Sequence, residues 1–585
     1  MKKITINDKI VEVADNATIL DVAKSLDIPI PTLCHLNVKD KDGACNNARC
    51  RVCMVELVGR GNLVPACATL VTDGMEIKTN SKKAVQARRI MVELLLSDHP
   101  KDCLTCPKNR RCELQTIAAD LSIREIRYDG KRTERPTDIS SLSLVRDLDK
   151  CILCGRCETV CNNVQTVGVY SKSKRGFETI MTTAFNNPLI DSPCTFCGQC
   201  VSVCPTGALT QVDNTKEVWN AINDEEKVVV VQTAPAIRVA LGELFGMPIG
   251  TNVTGKMVTA LRKIGFDKVM DTDFAADLTV IEETKEFLDR LQNGGKLPIL
   301  TSCCPAWVNF IEYNYPDLLD IPSSCKSPHE MFGAIAKTYL AKKLNVKPEN
   351  MVVVSVMPCL AKKYEAARSE LSNKEFKNVD YVITTRELSR MIREAGLDFV
   401  DLEDSEFDSV MGESSGASVI FGTTGGVIEA VVRNASYLLS NEKLPKVDFK
   451  ELRGMKGLRE ATVNIAGTDI NIAIANGLGN ARELLERIKS GEANYHAIEI
   501  MACPGGCING GGQPHYFNED AEVLKKRAKA LYQDDLDKEL RVSSLNKEIK
   551  KLYDEFLGEP GGKLAHELLH THYSKKEVAI KNKEK

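Results

Sequence analysis

The chain has 585 residues, 43% of them apolar, a formal net charge of −3 and 22 cysteines. At about 150 residues per domain this length predicts roughly four domains, and a charge so near neutral argues against nucleic acid, whose partners present a basic face. No apolar run approaches the ~18 residues of a membrane span and Met1–Ile6 leads into no signal-peptide core, so a cytoplasmic protein is expected. In such a chain, cysteines grouped at C-x2-C spacing read as metal ligands, not as a disulfide scaffold.

Residues 3–13 alternate apolar and polar around Asn7-Asp8 and predict a β-hairpin. Residues 16–26 have helical periodicity, with Thr18 and Asp21 as a capping box. Strand, turn, strand, helix and cysteine loop resemble a plant-type ferredoxin fold, with Cys34, Cys50, Cys53 and Cys67 holding a [2Fe–2S] cluster. Cys45 also fits a C-x4-C-x2-C run with Cys50 and Cys53 and competes with Cys34 for one place. The helix-to-loop transition ending at Pro31-Thr-Leu-Cys34 favours Cys34.

Residues 82–97 predict an amphipathic helix that runs into His99, Cys103, Cys106 and Cys112. One imidazole and three thiolates suit either zinc or a [4Fe–4S] cluster, and the flanking iron–sulfur motifs favour the cluster. Residues 124–137 read as a connector. Two bacterial ferredoxin runs follow, Cys151/Cys154/Cys157/Cys161 and Cys194/Cys197/Cys200/Cys204, the second with Pro205. In such repeats the fourth cysteine serves the other cluster. That groups Cys204 with Cys151, Cys154 and Cys157, and Cys161 with Cys194, Cys197 and Cys200.

From Val228 to about residue 510 apolar runs alternate with helical stretches, predicting an α/β domain with mostly parallel strands. Runs at 297–300, 351–356 and 497–500 each lead into a Pro/Gly-bounded turn with cysteine, where α/β folds present ligands. These turns supply Cys304, Cys359, Cys503 and Cys507 to one iron–sulfur cluster and leave Cys303 beside it. Gly422–Val427 matches no phosphate loop and predicts a glycine turn opening a helix. With no nucleotide site, nicotinamide chemistry belongs to another chain. Beyond Tyr516 the chain is helical and charged. His566-Glu-Leu-Leu-His570 fits the H-E-x-x-H zinc-protease pattern but lacks a third ligand, and Lys575–Lys585 is expected to fray.

The three turns, Thr301–Trp307, Met357–Glu365 and Glu499–Gly512, resemble the active-site signatures of the iron-only ([FeFe]) hydrogenases, and the resemblance covers nearly the whole chain. It implies reversible reduction of protons to H2 at an H-cluster. In that group a [4Fe–4S] cubane on the four cysteines is joined through Cys507 to a diiron unit carrying CO, cyanide and a dithiolate whose amine is the base. It also implies that Lys362 faces cyanide, that Met357, Met501, Phe421, Pro235 and Ala236 line the pocket, and that protons pass Cys303, Glu283, Ser323, Glu286 and Arg290. The spacing of Glu283, Glu286 and Arg290 puts all three on one helical face. Ala236 stands where many single-chain members have serine, as in hydrogenases of flavin-containing, NAD(P)-linked complexes, and His329 where glutamine is frequent. Cys325 has no assigned role beyond a buried small residue.

The same resemblance implies one [2Fe–2S] and three accessory [4Fe–4S] clusters. It also implies maturation factors and electron partners that are ferredoxin and/or flavin-containing NAD(P)H-oxidising subunits, with neither nucleic acid nor membrane. The fold class is multidomain α+β and α/β: a plant-type ferredoxin domain at 1–79, a His/Cys3 domain at 80–126 and a two-cluster ferredoxin domain at 127–214. A catalytic domain at 215–515 and a helical segment at 516–585 follow; that segment resembles the small subunit, which wraps the catalytic domain. Two rival readings are an iron–sulfur scaffold or sensor, which needs no Cys303, Lys362 or acidic path, and an electron-relay subunit, which leaves the three turns unexplained.

Overall fold

A computed structural model describes residues 1–37, 45–131, 134–373, 375–440, 447–492, 494–516 and 520–578. Backbone contacts divide the chain into two compact units. The first comprises Met1–Val164, Gly168–Ser192 and Val203–Thr210; the second comprises Gln165–Val167, Pro193–Ser202 and Gln211–Lys585.

In the first unit, β1 (Lys2–Ile6) and β2 (Lys9–Val13) pair antiparallel with Ile4 opposite Val11. Asn7 and Asp8 take positive φ of 45° and 69°, the twist a two-residue hairpin turn requires. Helix α1 (Ile19–Ser25) starts at the capping box of Thr18 and Asp21. Strands β3 (Met54–Leu57), β4 (Leu63–Pro65) and β5 (Glu76–Lys78) complete a sheet of order β2-β1-β5-β3-β4. Its buried face, with Ile4, Ile6, Val55 and Ile77, packs on Leu20 and Ala23 of α1. Ser81 caps α2 (Lys82–Ser97), whose amide at Ala84 donates to the hydroxyl at 3.2 Å. Val92 of α2 joins Leu33, Val52 and Leu114 in a second core, with Cys50 and Cys112 at its edge.

In the second unit, β6 (Val228–Thr233), β7 (Lys268–Asp271), β9 (Met351–Met357) and β10 (Tyr381–Thr384) form an all-parallel sheet of order β7-β6-β9-β10. The near-continuous valines of β6 and β9 suit central parallel strands buried on both faces. A second sheet has the order β8-β13-β12-β11, from β8 (Ile299–Leu300), β11 (Leu458–Ile465), β12 (Thr468–Asn476) and β13 (Ala497–Met501). Only the β11–β12 hairpin is antiparallel in it.

The helices that matter for the site are α3 (Thr272–Gln292), α4 (Pro305–Asn314), α5 (Pro328–Ile335), α6 (Ala361–Glu365) and α7 (Gly426–Leu439). Gly425, at φ 92°, makes the turn into α7, and Glu499 caps that helix by accepting from the amides of Val427 (2.9 Å) and Ile428 (3.1 Å).

The C-terminal segment is woven into this unit. Asp535 of α8 (Asp520–Asp537) receives Arg433 at 2.9 Å and Arg541 at 2.8 Å, while Arg433 also reaches Glu429 at 2.8 Å. After α9 (Lys563–Leu569), Cys325 and His570 form an antiparallel bridge, flanked by the amide of Lys326 on Leu569 O and that of Thr571 on Ser324 O, both 2.8 Å. The expected fraying does not begin at Lys575: the Lys576 ammonium is 2.7 Å from Asn309 Oδ1 and 2.7 Å from Glu312 Oε2. Residues 579–585 lie outside the described residues. No helix among the described residues is long and apolar enough to cross a membrane.

Candidate metal centres

Three of the four predicted accessory groupings lie within the first unit. In the first unit the Cys34 sulfur accepts the amides of Arg49 (3.3 Å) and Cys50 (3.4 Å), and Cys67 accepts that of Ala48 (3.3 Å). Cys53 and Cys67 sulfurs are 3.4 Å apart, and Cys34 interacts with both Cys50 and Cys67. Hydrogen bonds from the Cys50 and Cys67 thiols, and to a lesser extent the two amides, hold Cys34 well below the usual thiol range. The competing Cys45 side chain lies outside the described residues.

Cys103, Cys106 and Cys112 lie on the loop before the helix Glu113–Asp120, with Cys106 packed against Gly207. Cys112 is raised by burial and then by the charge of Cys106. His99 lies just past the end of α2, its amide on Leu96 O at 3.2 Å. Cys151, Cys154, Cys157 and Cys204 line one cavity, as the crossed ferredoxin pairing requires. Cys194, Cys197 and Cys200 belong to the second unit and Cys161 to the first.

In the second unit the three predicted turns converge. Cys304 precedes α4, Cys359 follows β9, and Cys503 and Cys507 follow β13. The amide of Ala502 donates to Cys304 sulfur at 3.4 Å. Backbone packing leaves no slack: a Cβ on Gly506 would meet Thr424 N at 2.6 Å, and one on Gly510 would meet Pro358 O at 2.2 Å. Burial raises all four thiols, and at Cys503 and Cys507 the charges of Cys304 and Cys359 raise them further. Four such groups ionise together only when a cationic centre replaces their protons. The donor set therefore fits an iron–sulfur cluster.

Cys303 packs with Phe421, Met501, Val427 and Ala276 in one apolar group. Pro235 and Ala236 are buried, Ala236 beside Ile508, whereas Met357 belongs to the main core of the parallel sheet. The Lys362 ammonium donates to Glu365 at 2.6 Å and to the carbonyl of Cys303 at 3.1 Å. Burial works against the charge of Lys362, but Glu365 holds it above its ordinary pKa. Burial likewise opposes the charge of Glu365, yet Lys362 and His329 bring it down to about 2. His329 Nδ1 is 2.9 Å from Glu365. Glu365 had gone unnoticed in the sequence, although Lys-x2-Glu on a helix signals such a pair.

All five acid–base groups of the expected proton path are in this unit. Ser323 donates to Glu286 at 2.9 Å and Arg290 donates to the same carboxylate at 2.5 Å. Burial and then the charge of Glu286 raise Glu283 to about 8, with neighbouring Ser323 acting the other way. Cys303 is raised by burial and then by the charge of Glu283, which places those two groups within electrostatic reach.

The second ferredoxin run also touches this centre. The side-chain amide of Gln199 donates to Asn509 O at 3.1 Å, Asn309 donates to Cys194 O at 2.8 Å, and Gly198 abuts Gly511. The H-E-x-x-H pair makes no chelate: the rings of His566 and His570 stack at 4.7 Å, 5° from parallel.

Comparison with known proteins matches residues 227–511 to the family described as iron only hydrogenase large subunit, C-terminal domain, and 521–576 to iron hydrogenase small subunit. Residues 2–82 match a 2Fe-2S iron-sulfur cluster binding domain and 88–127 the NADH-ubiquinone oxidoreductase-G iron-sulfur binding region. Residues 150–208 match a 4Fe-4S dicluster domain. The chain is 55% identical to the NADP-reducing hydrogenase subunit HndD of Solidesulfovibrio fructosivorans over 99% of both chains. It is 41% identical to iron hydrogenase 1 of Clostridium pasteurianum over 98% of this chain and 100% of that one. A solved structure of the [FeFe]-hydrogenase HydA1 from Chlamydomonas reinhardtii aligns with a TM-score of 0.56 at 40% identity, covering 62% of this chain and 99% of that one. Matched from end to end, with four thiols meeting where the family's catalytic domain lies, the chain belongs to the iron-only ([FeFe]) hydrogenases and is a hydrogenase with an H-cluster domain and accessory [2Fe–2S] and [4Fe–4S] domains.

Proposed function

We propose that Cys304, Cys359, Cys503 and Cys507 hold the catalytic cluster and that the surrounding side chains move protons to and from it. The convergence of these four thiols beside Cys303 and Lys362 in one unit carries this reading. When bound, the H-cluster supplies the redox centre at which two protons and two electrons become H2. The chain's own residues do the rest. Lys362 provides a buried cation for anionic ligands, and Phe421 and Met501 exclude water.

Cys303 exchanges its thiol proton with Glu283, Glu283 with Ser323, and Ser323 with Glu286, where Arg290 holds the carboxylate. Successive groups with overlapping protonation let a proton pass without stranding charge. Accessory ligands are Cys34, Cys50, Cys53 and Cys67; His99, Cys103, Cys106 and Cys112; Cys151, Cys154, Cys157 and Cys204; and Cys194, Cys197, Cys200 and Cys161. The five-domain division with boundaries at 79/80, 126/127, 214/215 and 515/516 belongs to the same proposal.

The name of the Solidesulfovibrio relative supports an NAD(P)-linked electron partner, supplied by flavin-containing subunits, with ferredoxin as the alternative donor or acceptor. Reduction by NADPH in the presence of such subunits, compared with reduced ferredoxin alone, separates the two. Maturation factors assemble the diiron unit, and the enzyme works in the cytoplasm.

Infrared absorption of anaerobic protein made with maturation factors tests the reading. Bands of metal-bound CO and cyanide are expected, and Cys303→Ala keeps them while losing turnover by roughly 100-fold or more. Accessory clusters without such bands would transfer the chain to the scaffold reading.

A further inference from the structure

Cys325 plays no part in the machinery described so far. Its thiol is fully buried and 3.9 Å from Glu286 Oε2. Across the antiparallel bridge stands His570 of the C-terminal segment. The two ring nitrogens of His570 have different neighbours: Nε2 is 3.0 Å from Glu282 Oε2, and Nδ1 is 2.8 Å from Ser324 Oγ. Ser324 Oγ in turn lies 3.2 Å from Glu286. One sulfur, one imidazole nitrogen and one carboxylate oxygen, from Cys325, His570 and Glu286, all lie within 4.8 Å of one another.

That spacing suits a metal. Zinc bonds of about 2.0–2.3 Å in tetrahedral geometry set ligand atoms about 3.3–3.8 Å apart, so closure needs movements of about an ångström. The second shell is already built. Glu282 is an acceptor that also receives the amide of Gly561 at 2.9 Å and the hydroxyl of Tyr553. A carboxylate on Nε2–H leaves the Nδ1 lone pair on the side of Ser324 and Glu286, the arrangement that orients metal-binding imidazoles. Ser324, displaced from Nδ1, still donates to Glu286. Entry is open, because Glu286 and Ser324 are only half-buried.

We propose that Glu286, Cys325 and His570 form a binding site for a divalent transition ion of the zinc class, with water as fourth ligand, and that its occupation stops hydrogen turnover. Mixed sulfur, imidazole and carboxylate ligands select zinc-like ions over magnesium or calcium. Cys325 is held as a thiol by burial and then by the charges of Glu286 and Glu283. Binding therefore releases its proton to solvent, and affinity falls as pH is lowered. The inhibition rests on the proton-exit role given to Glu286 above; the site itself does not.

The test uses the holoprotein with one equivalent of Zn2+, desalted and measured at the zinc X-ray absorption edge, where iron clusters do not interfere. One sulfur at about 2.3 Å with nitrogen and oxygen scatterers is expected, absent in Cys325→Ser and weakened in His570→Gln. Zinc should lower turnover by roughly 100-fold, the scale of a positioned relay, reversibly on chelation. Zinc-free Cys325→Ser should match the parent and resist zinc. Sulfur-free zinc, or a sulfur signal that survives in Cys325→Ser, overturns the site. Sulfur-bound zinc lost in Cys325→Ser, with turnover intact, overturns the inhibition and with it the exit through Glu286. No zinc retained by the parent rejects the metal site, and loss of turnover in Glu286→Gln would then leave the proton path standing.

Discussion

Lys362 Nζ lies 3.1 Å from the main-chain carbonyl of Cys303, so the buried cation is fastened to the backbone that carries the proposed relay thiol. Its other partner, Glu365, is buried and held at a pKa of about 2 against the opposing effect of burial by Lys362 and His329. Lys362→Gln leaves that carboxylate with His329 alone, at a cost of about 3–5 kcal/mol. Glu365 has a depressed folded value, so its contribution is complete above the unfolded carboxylate value near 4.3 and is lost as pH falls towards 2. Acid-unfolding curves of Lys362→Gln should show that component reduced. Its CO and cyanide bands should weaken while accessory-cluster spectra are unchanged.

Glu283 behaves in the opposite sense. Burial and the charge of Glu286 raise it to about 8, so it is protonated at neutral pH. Stability attributable to it is full below the unfolded value near 4.3 and declines as pH rises through about 8. Infrared difference spectra should show a protonated carboxyl stretch that disappears with that midpoint and is absent in Glu283→Gln. Turnover should fall along the same alkaline limb; an alkaline limb that stays in Glu283→Gln would remove Glu283 from the path.

At the N-terminal site two amides point at Cys34 sulfur. Cys34→Ser should abolish the [2Fe–2S] electron paramagnetic resonance signal, and Cys45→Ser should preserve it. The reverse outcome would give the place to Cys45.

Asp535 ties α8 to the catalytic body through two arginines, with Arg433 fully buried. Asp535→Ala leaves that guanidinium with Glu429 alone and should destabilise the catalytic unit by about 3–5 kcal/mol. In calorimetry the melting transition of this unit should drop while that of the N-terminal unit stays in place.

Much of this was legible from spacing. The hairpin turn at Asn7-Asp8, the cap at Thr18, helix 82–97 and the three cysteine turns arise from local chemistry: positive φ, capping, and apolar runs ending at Pro or Gly. Glu365 was missed because a Lys-x2-Glu pair is common on solvated helices, and only burial makes it a charge clamp. The anchoring of Lys576 and the pairing of Cys325 with His570 depend on contacts more than 200 residues apart in sequence, which no local pattern encodes. Met357, which the resemblance puts on the pocket wall, ends a strand buried almost throughout and packs in the main core of the parallel sheet.

Gly198, between Cys197 and Gln199, meets Gly511 with no side chain on either: a Cβ on Gly511 would come within 2.8 Å of Gly198 Cα and 3.0 Å of Cys197 O. Electron tunnelling weakens exponentially with gap width, so on the proposed route from the cluster at Cys197 to the catalytic centre this bare backbone contact would be a low-resistance junction. A methyl group at position 511 would wedge it open and throttle current into the catalytic centre, while the chemistry at that centre stayed as fast as before.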